Sequence, residues 1–429
     1  MSPFIPFDII ALIIDIVGEN NDTSLLKELA LVSHSFLQIC SKHLFSTVEL
    51  HDANPKRHVP SSKMGFVKLL EWRPDVVKYI RNLTYTIIYD HVITPHFAPV
   101  LNFDNEDNLL SSILPNFLRT IPRLNSLKIH ASQLDWNKLN PSLISALLHL
   151  MQLPTINHID LSSIYYFPLS SFTPSVNLLR LDIENLRHDF NSKLDEDVSW
   201  SPKFVGKLES MPKIRHFRTF NSYPMTKKLL HAKMQDGRPA FNFTDLRQLT
   251  TKTYNIRLEH EQNIRYLFQN AKSLEKFELY NGNQSLVGLH DILSLSARTL
   301  KFFDLSVPFF ISPVTLTGLR EELEAMAGRN MLEAFSFEVQ VNDNVTEDLV
   351  GSIFRQVEEV LVKPGWSASV LRQVFFKVGI LPPKHSAKLS EALSEALQSL
   401  PDKYLSHLPK HESVAFNFSA YTFTLNGYR

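Results

Sequence analysis

The chain of 429 residues has a single cysteine, Cys40, and only 12 glycines. One cysteine excludes an internal disulfide framework and is typical of proteins in a reducing compartment. Lysine and arginine total 44, as do aspartate and glutamate, so the chain has no net charge that would attract a phosphate backbone or an anionic membrane. We therefore expect neither nucleic acid nor membrane as a partner.

The motifs of the common enzyme classes are missing as well. The chain has no G-x-S-x-G, no P-loop, no G-x-G-x-x-G and no H-E-x-x-H. Cys40 and His43 are three residues apart, but a zinc site needs a larger cluster, so packing explains this pair better. His158 and Asp160 flank one residue and point the same way, which chance also produces among 17 histidines. We expect no catalytic residue, metal or cofactor, although a hydrolase with a dispersed active site stays open.

A long hydrophobic run is also lacking. The most apolar stretch, FIPFDIIALIIDIV at residues 4–17, is shorter than the roughly 20 residues that cross a bilayer, and it contains Asp8 and Asp15. No basic residue precedes it, which argues against a secretory signal. We therefore expect a cytoplasmic or nuclear protein.

This apolar stretch predicts a helix with two hydrophobic stripes. One stripe consists of Ile9, Ile13 and Ile16, and the second consists of Ile10, Ile14 and Val17. Asp22 or Thr23 can cap a second helix through LLKELALV, and Ser33 can cap a third through HSFLQICSKHLF, before the alternating strand pattern STVELHD. A surface helix needs only one apolar stripe, so either the rest of the chain or another protein must cover the second.

These residues resemble the F-box family. The similarity lies in Ile5-Pro6-x-Asp8-Ile9-Ile10-x-x-Ile13, Leu25 and Leu29, Leu31-Val32-Ser33-x-x-Phe36, and His43-Leu44-Phe45. The family more often has leucine at the position of Ile5 and tryptophan at that of Phe45. The resemblance implies a three-helix module at residues 1–50 that binds a Skp-type adaptor and, through it, a cullin-RING ubiquitin ligase. Carried over by position, the adaptor contact would consist of Ile5, Pro6, Ile9, Ile10, Ile13, Val32, Ser33 and Phe36.

A repeated spacing follows a linker with connecting helices at residues 51–78. The pattern L-x-x-L-x-L, with any large apolar residue allowed, begins at Ile80, Leu124, Ile156, Leu178, Leu274, Leu300, Leu332 and Leu371, with weaker copies at Ile214 and Leu246. Between residues 124 and 332, successive copies start 22 to 36 residues apart, which suits one strand and one helix per unit. We therefore predict an α/β fold: the three-helix module, then an irregular leucine-rich-repeat solenoid of parallel strands at residues 79–429.

The segments between the strands predict the helices of this array. They are LISALLHLMQL, QNIRYLFQNAKS, LVGLHDILSLSA and LTGLREELEAMAG, and we expect interruptions at LRHDFNSKLDEDVSWSP and NSYPMTKKLLHAKMQDGRPAFNF. Near the end, LSEALSEALQSL has a helical pattern and SVAFNFSAYTFTL alternates like a closing strand. The block Phe66, Leu69-Leu70, Tyr79-Ile80-Arg81-x-Leu83 resembles the segment that follows the F-box in many fungal F-box proteins.

Recognition of a protein client is expected on the outward strand positions. The candidate residues are Asp160, Asp182, Arg218, Glu278 and Asp304, in a row that also contains Lys128, Thr250 and Ser336, with Tyr280 and Phe302 alongside it. The hypothesis is a substrate-receptor subunit of an SCF-type ligase that binds the Skp-type adaptor and cullin complex at one end and an unknown client on the repeats. The alternative is a leucine-rich-repeat scaffold without a ligase role, whose N-terminal helices only cap the array.

Overall fold

The computed structural model of the chain contains two compact units. Unit 1 comprises Met1–Pro212 and Ala232–Phe241, and unit 2 comprises Lys213–His231 and Asn242–Arg429. The structure describes residues 6–20, 22–52, 61–87, 105–172, 175–186, 211–234, 237–253, 258–281, 292–309, 319–341, 346–363, 366, 371–380, 395, 397–410 and 414–422. Among these residues, no helix has the length and apolarity that crossing a membrane requires.

Three short helices open unit 1: α1 (Phe7–Glu19), α2 (Thr23–Ala30) and α3 (His34–Leu44). The predicted caps of the last two are confirmed. The side chain of Asp22 accepts a hydrogen bond from the backbone N–H of Leu25 at 3.1 Å, and Ser33 Oγ accepts one from that of Phe36 at 3.3 Å. Each cap satisfies an N–H group that has no partner within the helix, which fixes where the helix begins.

The three helices share one small core. Ile14, Leu26 and Cys40 are fully buried at its centre, one from each helix. The partly buried residues around them are Ile10, Val17, Leu29, Ala30, Phe36, Ile39 and Leu44. Of the two stripes on α1, only the one through Ile10, Ile14 and Val17 therefore faces the other helices.

Unit 1 continues with five strands that pair in parallel and in chain order. They are β1 (Thr47–His51), β2 (Asn82–Ile87), β3 (Ser126–Asp135), β4 (His158–Tyr165) and β5 (Arg180–Glu184). The connections contain α4 (Ser62–Trp72) with a 3₁₀ turn at Pro74–Tyr79, α5 (Asn105–Arg119) and α6 (Pro141–Met151). The described residues between β4 and β5 contain a 3₁₀ turn at Leu169–Phe172.

Unit 2 repeats this arrangement with seven parallel strands, again in chain order. They are β6 (His216–Phe220), β7 (Gln248–Thr253), β8 (Lys276–Asn281), β9 (Phe302–Phe309), β10 (Ala334–Val341), β11 (Gln373–Ile380) and β12 (Ala415–Thr422). The connecting helices are α7 (Tyr223–His231), α8 (Leu258–Asn270), α9 (Leu319–Met326), α10 (Glu347–Leu361) and α11 (Leu400–Tyr404). Each unit is thus a solenoid-like α/β array, as the alternating pattern predicts.

The L-x-x-L-x-L spacing marks the inward side of the strands. Every apolar residue in its eight full copies is buried, and so are Ile214, Phe217, Leu246 and Leu249 of the weaker copies. Parallel pairing stacks equivalent positions, so that Leu83, Leu127, Ile159 and Leu181 form one continuous row across β2 to β5. Because neighbouring strands bury each other's apolar face, one repeat depends on the next for its stability.

A backbone hydrogen-bond pattern recurs at the start of the strands. The carbonyl oxygen of Arg81 accepts bonds from two successive N–H groups, those of Asn125 and Ser126. The same arrangement recurs with the carbonyls of Ser46, Asn125, Asn157, Arg215, Arg247, Glu275, Lys301 and Glu333. It aligns the first residues of consecutive strands and sets the register. This hydrogen-bond pattern involves only main-chain atoms, so the amino-acid sequence does not predict it.

Phenylalanines fill the centre of unit 2. Phe303 on β9 lies between Phe277 and Phe335, with ring centroids 5.6 Å from each. Farther along, Phe354 of α10 stacks on Phe376 of β11 at 4.7 Å. All five rings are at most 1% exposed. Stacked and edge-to-face rings add about 0.5–1.5 kcal/mol per pair to the free energy of burial.

Four expectations about the connections need correction or fall largely outside the described residues. NSYPMTKKLLHAKMQDGRPAFNF, expected as an interruption, contains the helix α7, because Met225, Leu229 and Leu230 give it a buried face. The described end of LVGLHDILSLSA is a 3₁₀ turn at Leu293–Ser296 rather than an α-helix. LRHDFNSKLDEDVSWSP and most of LSEALSEALQSL lie outside the described residues, whereas the closing strand is present as β12.

Glu358 on α10 binds the backbone of the segment that precedes β12 and holds that segment against the helix. It is 1% exposed, and its carboxyl oxygens accept backbone hydrogen bonds from Ser406, His407 and Leu408 at 3.2, 2.9 and 2.8 Å. Changing Glu358→Ala leaves these N–H groups without this partner, so we expect the free energy of unfolding to fall by about 2–3 kcal/mol in urea denaturation. Its neighbour Glu359, 51% exposed and 3.7 Å from Arg320, provides the control. Equal losses for Glu359→Ala would contradict this assignment.

Candidate functional site

The stripe of α1 through Ile9, Ile13 and Ile16 is exposed. Ile9, Leu12, Ile13 and Ile16, hereafter the α1 face, are between 44% and 56% exposed. Their spacing of three and four residues places them side by side on one surface of the helix. A monomeric protein seldom leaves adjacent large aliphatic side chains in water, and such a surface is typical of a contact with another protein. Leu31 and Val32, in the turn between α2 and α3, are also exposed, at 88% and 65%.

The other residues predicted for the adaptor contact have different environments. Pro6 precedes α1 and is exposed, whereas Ile5 lies outside the described residues. Ile10 and Phe36 are partly buried and pack against the core of the three helices. Ser33 is exposed but its hydroxyl is occupied in capping α3. The side chains available for a partner are thus Pro6, Ile9, Ile13 and Val32.

Asp15 ties α1 to α3, a contact that the amphipathic pattern alone does not reveal. Its carboxylate lies 2.6 Å from Lys42 Nζ and 2.8 Å from His43 Nε2. Hydrogen bonds from Lys42 and then His43 lower the pKa of Asp15. Gly18 permits the close approach, because a Cβ there would collide with the ring of His43. These contacts of Asp15 fix α1 against α3 and so set the position of the exposed face of α1.

We expect Asp15→Asn to destabilise the three helices slightly at pH 7. The carboxylate is 35% exposed, so solvent screening limits the loss to less than about 1 kcal/mol. Since folding lowers the pKa of Asp15, its contribution is present above the ordinary value of about 4 and disappears as pH falls through the folded pKa. Hydrogen exchange of α1 at pH 7 and low salt measures the effect. A difference that persists in about 1 M salt would contradict the ion-pair explanation.

The predicted outward positions fall in register within each unit. In unit 1, Lys128, Asp160 and Asp182 occupy one row across β3, β4 and β5. Asp182 is nevertheless buried, because His158 and Arg180 cover it at 3.2 and 2.8 Å. Burial alone would raise the pKa of Asp182, but the hydrogen bonds from His158 and Arg180 outweigh it and the pKa is lowered.

The corresponding row of unit 2 carries charges of both signs. It consists of Arg218, Thr250, Glu278, Asp304 and Ser336. Thr250 donates a hydrogen bond to Glu278 at 2.8 Å, and Lys276 lies 2.5 Å from the other oxygen of Glu278. Phe302 belongs to a different row, beside Lys276, and is 41% exposed. The structure therefore brings together Arg218, Glu278 and Asp304 in one row, with Phe302 at its side.

Tyr280 adds a phenol to the acidic part of this row. Burial, followed by the charges of Asp304, Glu278 and Glu338, raises the pKa of Tyr280 to about 12. Burial also raises the pKa of Asp304, and the same two glutamates add to this effect. Tyr280 therefore stays a neutral hydrogen-bond donor at physiological pH.

Three further residues of these faces were not predicted. His130 follows Lys128 on the outward side of β3, and its Nε2 lies 3.3 Å from Asp160. Glu338 follows Ser336 on β10 and accepts a hydrogen bond from Tyr421 of β12 at 2.8 Å. His130 and Glu338 each lie two residues beyond a predicted outward position on the same strand, and Tyr421 lies on the closing strand. Extending the outward row by one position along β3 and β10 would have found His130 and Glu338, whereas Tyr421 lies on β12, for which no outward position was predicted.

No protein-family model matches the chain, and a search of curated proteins finds no match either.

Proposed function

We propose that the chain is a substrate-receptor subunit of an SCF-type cullin-RING ubiquitin ligase. Helices α1 to α3 act as an F-box that binds a Skp-type adaptor, and the leucine-rich-repeat strands bind a protein client. The single observation that carries the proposal is the α1 face, four large aliphatic residues exposed beside a core that the same helix completes with its opposite stripe.

The energetics of this face favour a partner. Removing one large aliphatic side chain from water contributes on the order of 1.5–3 kcal/mol, so an adaptor that covers Ile9, Leu12, Ile13 and Ile16 gains substantial binding energy. The α1 face is already presented by a capped and packed bundle, so little ordering is needed before contact. Preorganisation of this kind suits a constitutive subunit contact.

The same exposure speaks against the capping alternative. If the helices served only to close the repeat array, Ile9, Ile13 and Ile16 would be covered by neighbouring repeats. They are instead 44%, 49% and 50% exposed. A scaffold without a ligase role therefore leaves this apolar surface without a purpose.

The chain needs no catalytic residue for this role. A receptor that holds its client near a charged ubiquitin-conjugating enzyme raises the effective concentration of the acceptor lysine, and the chemistry belongs to the other subunits. The outward row of unit 2, with Arg218, Glu278, Asp304 and exposed Phe302, is the proposed client surface. Aromatic and arginine side chains are the usual anchors of such contacts.

Co-expression with a Skp-type adaptor tests the proposal. We expect the full chain to co-purify with the adaptor, and the double variant Ile9→Asp/Ile13→Asp to lose it, because both carboxylates would have to be desolvated in the contact. Trp72→Asp is the matched control, since Trp72 is 88% exposed on α4 and outside the α1 face. Undiminished co-purification of the double variant would contradict the proposal. A monomeric chain that never captures the adaptor would indicate the scaffold.

A further inference from the structure

His158, Asp160 and Asp182 meet on the outward face of β4 and β5, and His130 of β3 lies beside Asp160. The possible donor atoms of His158, Asp160 and Asp182 all lie within 4.8 Å of one another. His158 Nε2 is 3.2 Å from Asp182 Oδ2, and His130 Nε2 is 3.3 Å from Asp160 Oδ2. We propose that these four side chains bind a divalent transition-metal ion of the Zn²⁺ class. This site is separate from the α1 face and does not depend on the ligase function.

The donor set and its spacing fit such an ion. Imidazole nitrogen and carboxylate oxygen bind Zn²⁺ at about 2.0–2.2 Å, and a tetrahedron with bonds of that length has edges of about 3.3–3.6 Å. The two histidine–aspartate distances of 3.2 and 3.3 Å lie close to that edge length. The mixture of two nitrogens and two oxygens also favours Zn²⁺ over Mg²⁺ or Ca²⁺, which prefer oxygen alone.

One ring nitrogen in the cluster has no hydrogen bond. His130 Nε2 is shielded from solvent and makes none, although Asp160 lies 3.3 Å away. A buried polar atom without a partner costs about 1–3 kcal/mol, and an ion or an ordered water at that position would remove this cost. The backbone beside it is unusual as well. The register between β3 and β4 shifts after His130, and Gln133 and Ser163 have positive φ.

A second layer of contacts orients His158. Ser126 Oγ lies 3.0 Å from His158 Nδ1, which turns Nε2 toward Asp182. Bound histidines in metal sites have a hydrogen bond of this kind on the other nitrogen. Without a metal, Nε2–H of a neutral His158 donates to Asp182 and Nδ1 accepts from the Ser126 hydroxyl. Binding of an ion at Nε2 requires the other tautomer, in which the single ring proton is on Nδ1 and Ser126 Oγ accepts it.

Arg180 is the cation with which a metal ion would compete for Asp182. Its Nη2 lies 2.8 Å from Asp182 Oδ2, and its Nε lies 3.0 and 3.2 Å from the two oxygens. Two aspartates balance Arg180 and Lys128, the register partner of Asp160 on β3, so the surroundings have no net charge when the imidazoles are neutral and an ion must be held by the ligand atoms themselves. A carboxylate has about four acceptor positions, so Asp182 can keep Arg180 and bind an ion at the same time.

Calorimetric titration of Zn²⁺ into the chelator-treated full chain tests the proposal. We expect one Zn²⁺ per chain, with binding at least about 100-fold weaker in His130→Ala/His158→Ala. Ser126→Ala, which removes no ligand, should weaken binding about 10–100-fold. His216→Ala is the matched control, because His216 is also a half-buried strand histidine, bonded to Gln248 at 3.2 Å.

Thermal denaturation with a conservative variant provides a second measurement in case the double alanine variant folds poorly. Asp160→Asn keeps the shape of the side chain but weakens its ligation. Zn²⁺ should therefore raise the Tm of the natural chain more than that of Asp160→Asn. Absence of saturable Zn²⁺ binding would overturn the proposal. Unchanged affinity in the double variant would also overturn it, because the ion would then bind histidines elsewhere.

Discussion

Replacing Phe303 by alanine is expected to lower the free energy of unfolding by about 3–5 kcal/mol. The ring is 1% exposed and lies between Phe277 and Phe335, at 5.6 Å from both. Its removal leaves a cavity at two strand interfaces, β8 with β9 and β9 with β10. In a repeat array each interface couples neighbouring units, so we also expect unit 2 to unfold less cooperatively.

The residue beside it provides the control. Phe302 precedes Phe303 on the same strand, has the same side chain, and is 41% exposed because it points outward. Phe302→Ala should cost less than about 1 kcal/mol. Urea denaturation followed by circular dichroism compares the two variants. Similar losses for both would contradict the assignment of inward and outward faces.

The second large effect concerns α1. Changing Ile14→Asp places a carboxylate in the core with Leu26 and Cys40, where Ile14 is 1% exposed. Lost burial and an unpaired buried charge together should cost about 4 kcal/mol or more, which is enough to unfold a three-helix module. Hydrogen exchange of peptides from α1, α2 and α3 in the full chain measures this directly.

Ile13→Asp is the neighbouring control for that measurement. Ile13 is 49% exposed, so a carboxylate there stays in water and the exchange of the three helices should hardly change. Faster exchange in Ile13→Asp, to the extent seen in Ile14→Asp, would show that the α1 face contributes to the core. It would also remove the basis for interpreting the binding of Ile9→Asp/Ile13→Asp.

Periodicity predicted the parallel α/β architecture because inward positions depend mainly on apolar spacing. The copies starting at Ile80, Leu124 and Ile156 identify the buried rows of three strands, although the sequence between them varies. The caps at Asp22 and Ser33 were predictable for a similar reason, since a cap is a local contact between residues three apart.

Contacts between distant segments could not be predicted in this way. Asp15 meets Lys42 and His43 only when α1 packs on α3, and its place on the polar side of the helix suggested exposure alone. The cluster of His130 and Asp182 likewise depends on strand register. The expectation of no metal rested on Cys40 and His43, which are neighbours in sequence. His158 and Asp160 of β4 meet Asp182 of β5 only after these two strands pair, so sequence spacing gave no signal of the proposed site.

The central claim is that the α1 face is an adaptor-binding surface, and calorimetric titration of a purified Skp-type adaptor into the full chain tests it most directly. The account predicts saturable binding with a negative heat-capacity change, because apolar area leaves water. Affinity should fall at least about 100-fold in Ile9→Asp/Ile13→Asp, corresponding to about 2.8 kcal/mol, and stay unchanged in Trp72→Asp. No binding by the natural chain, or equal affinity in the double variant, would contradict it.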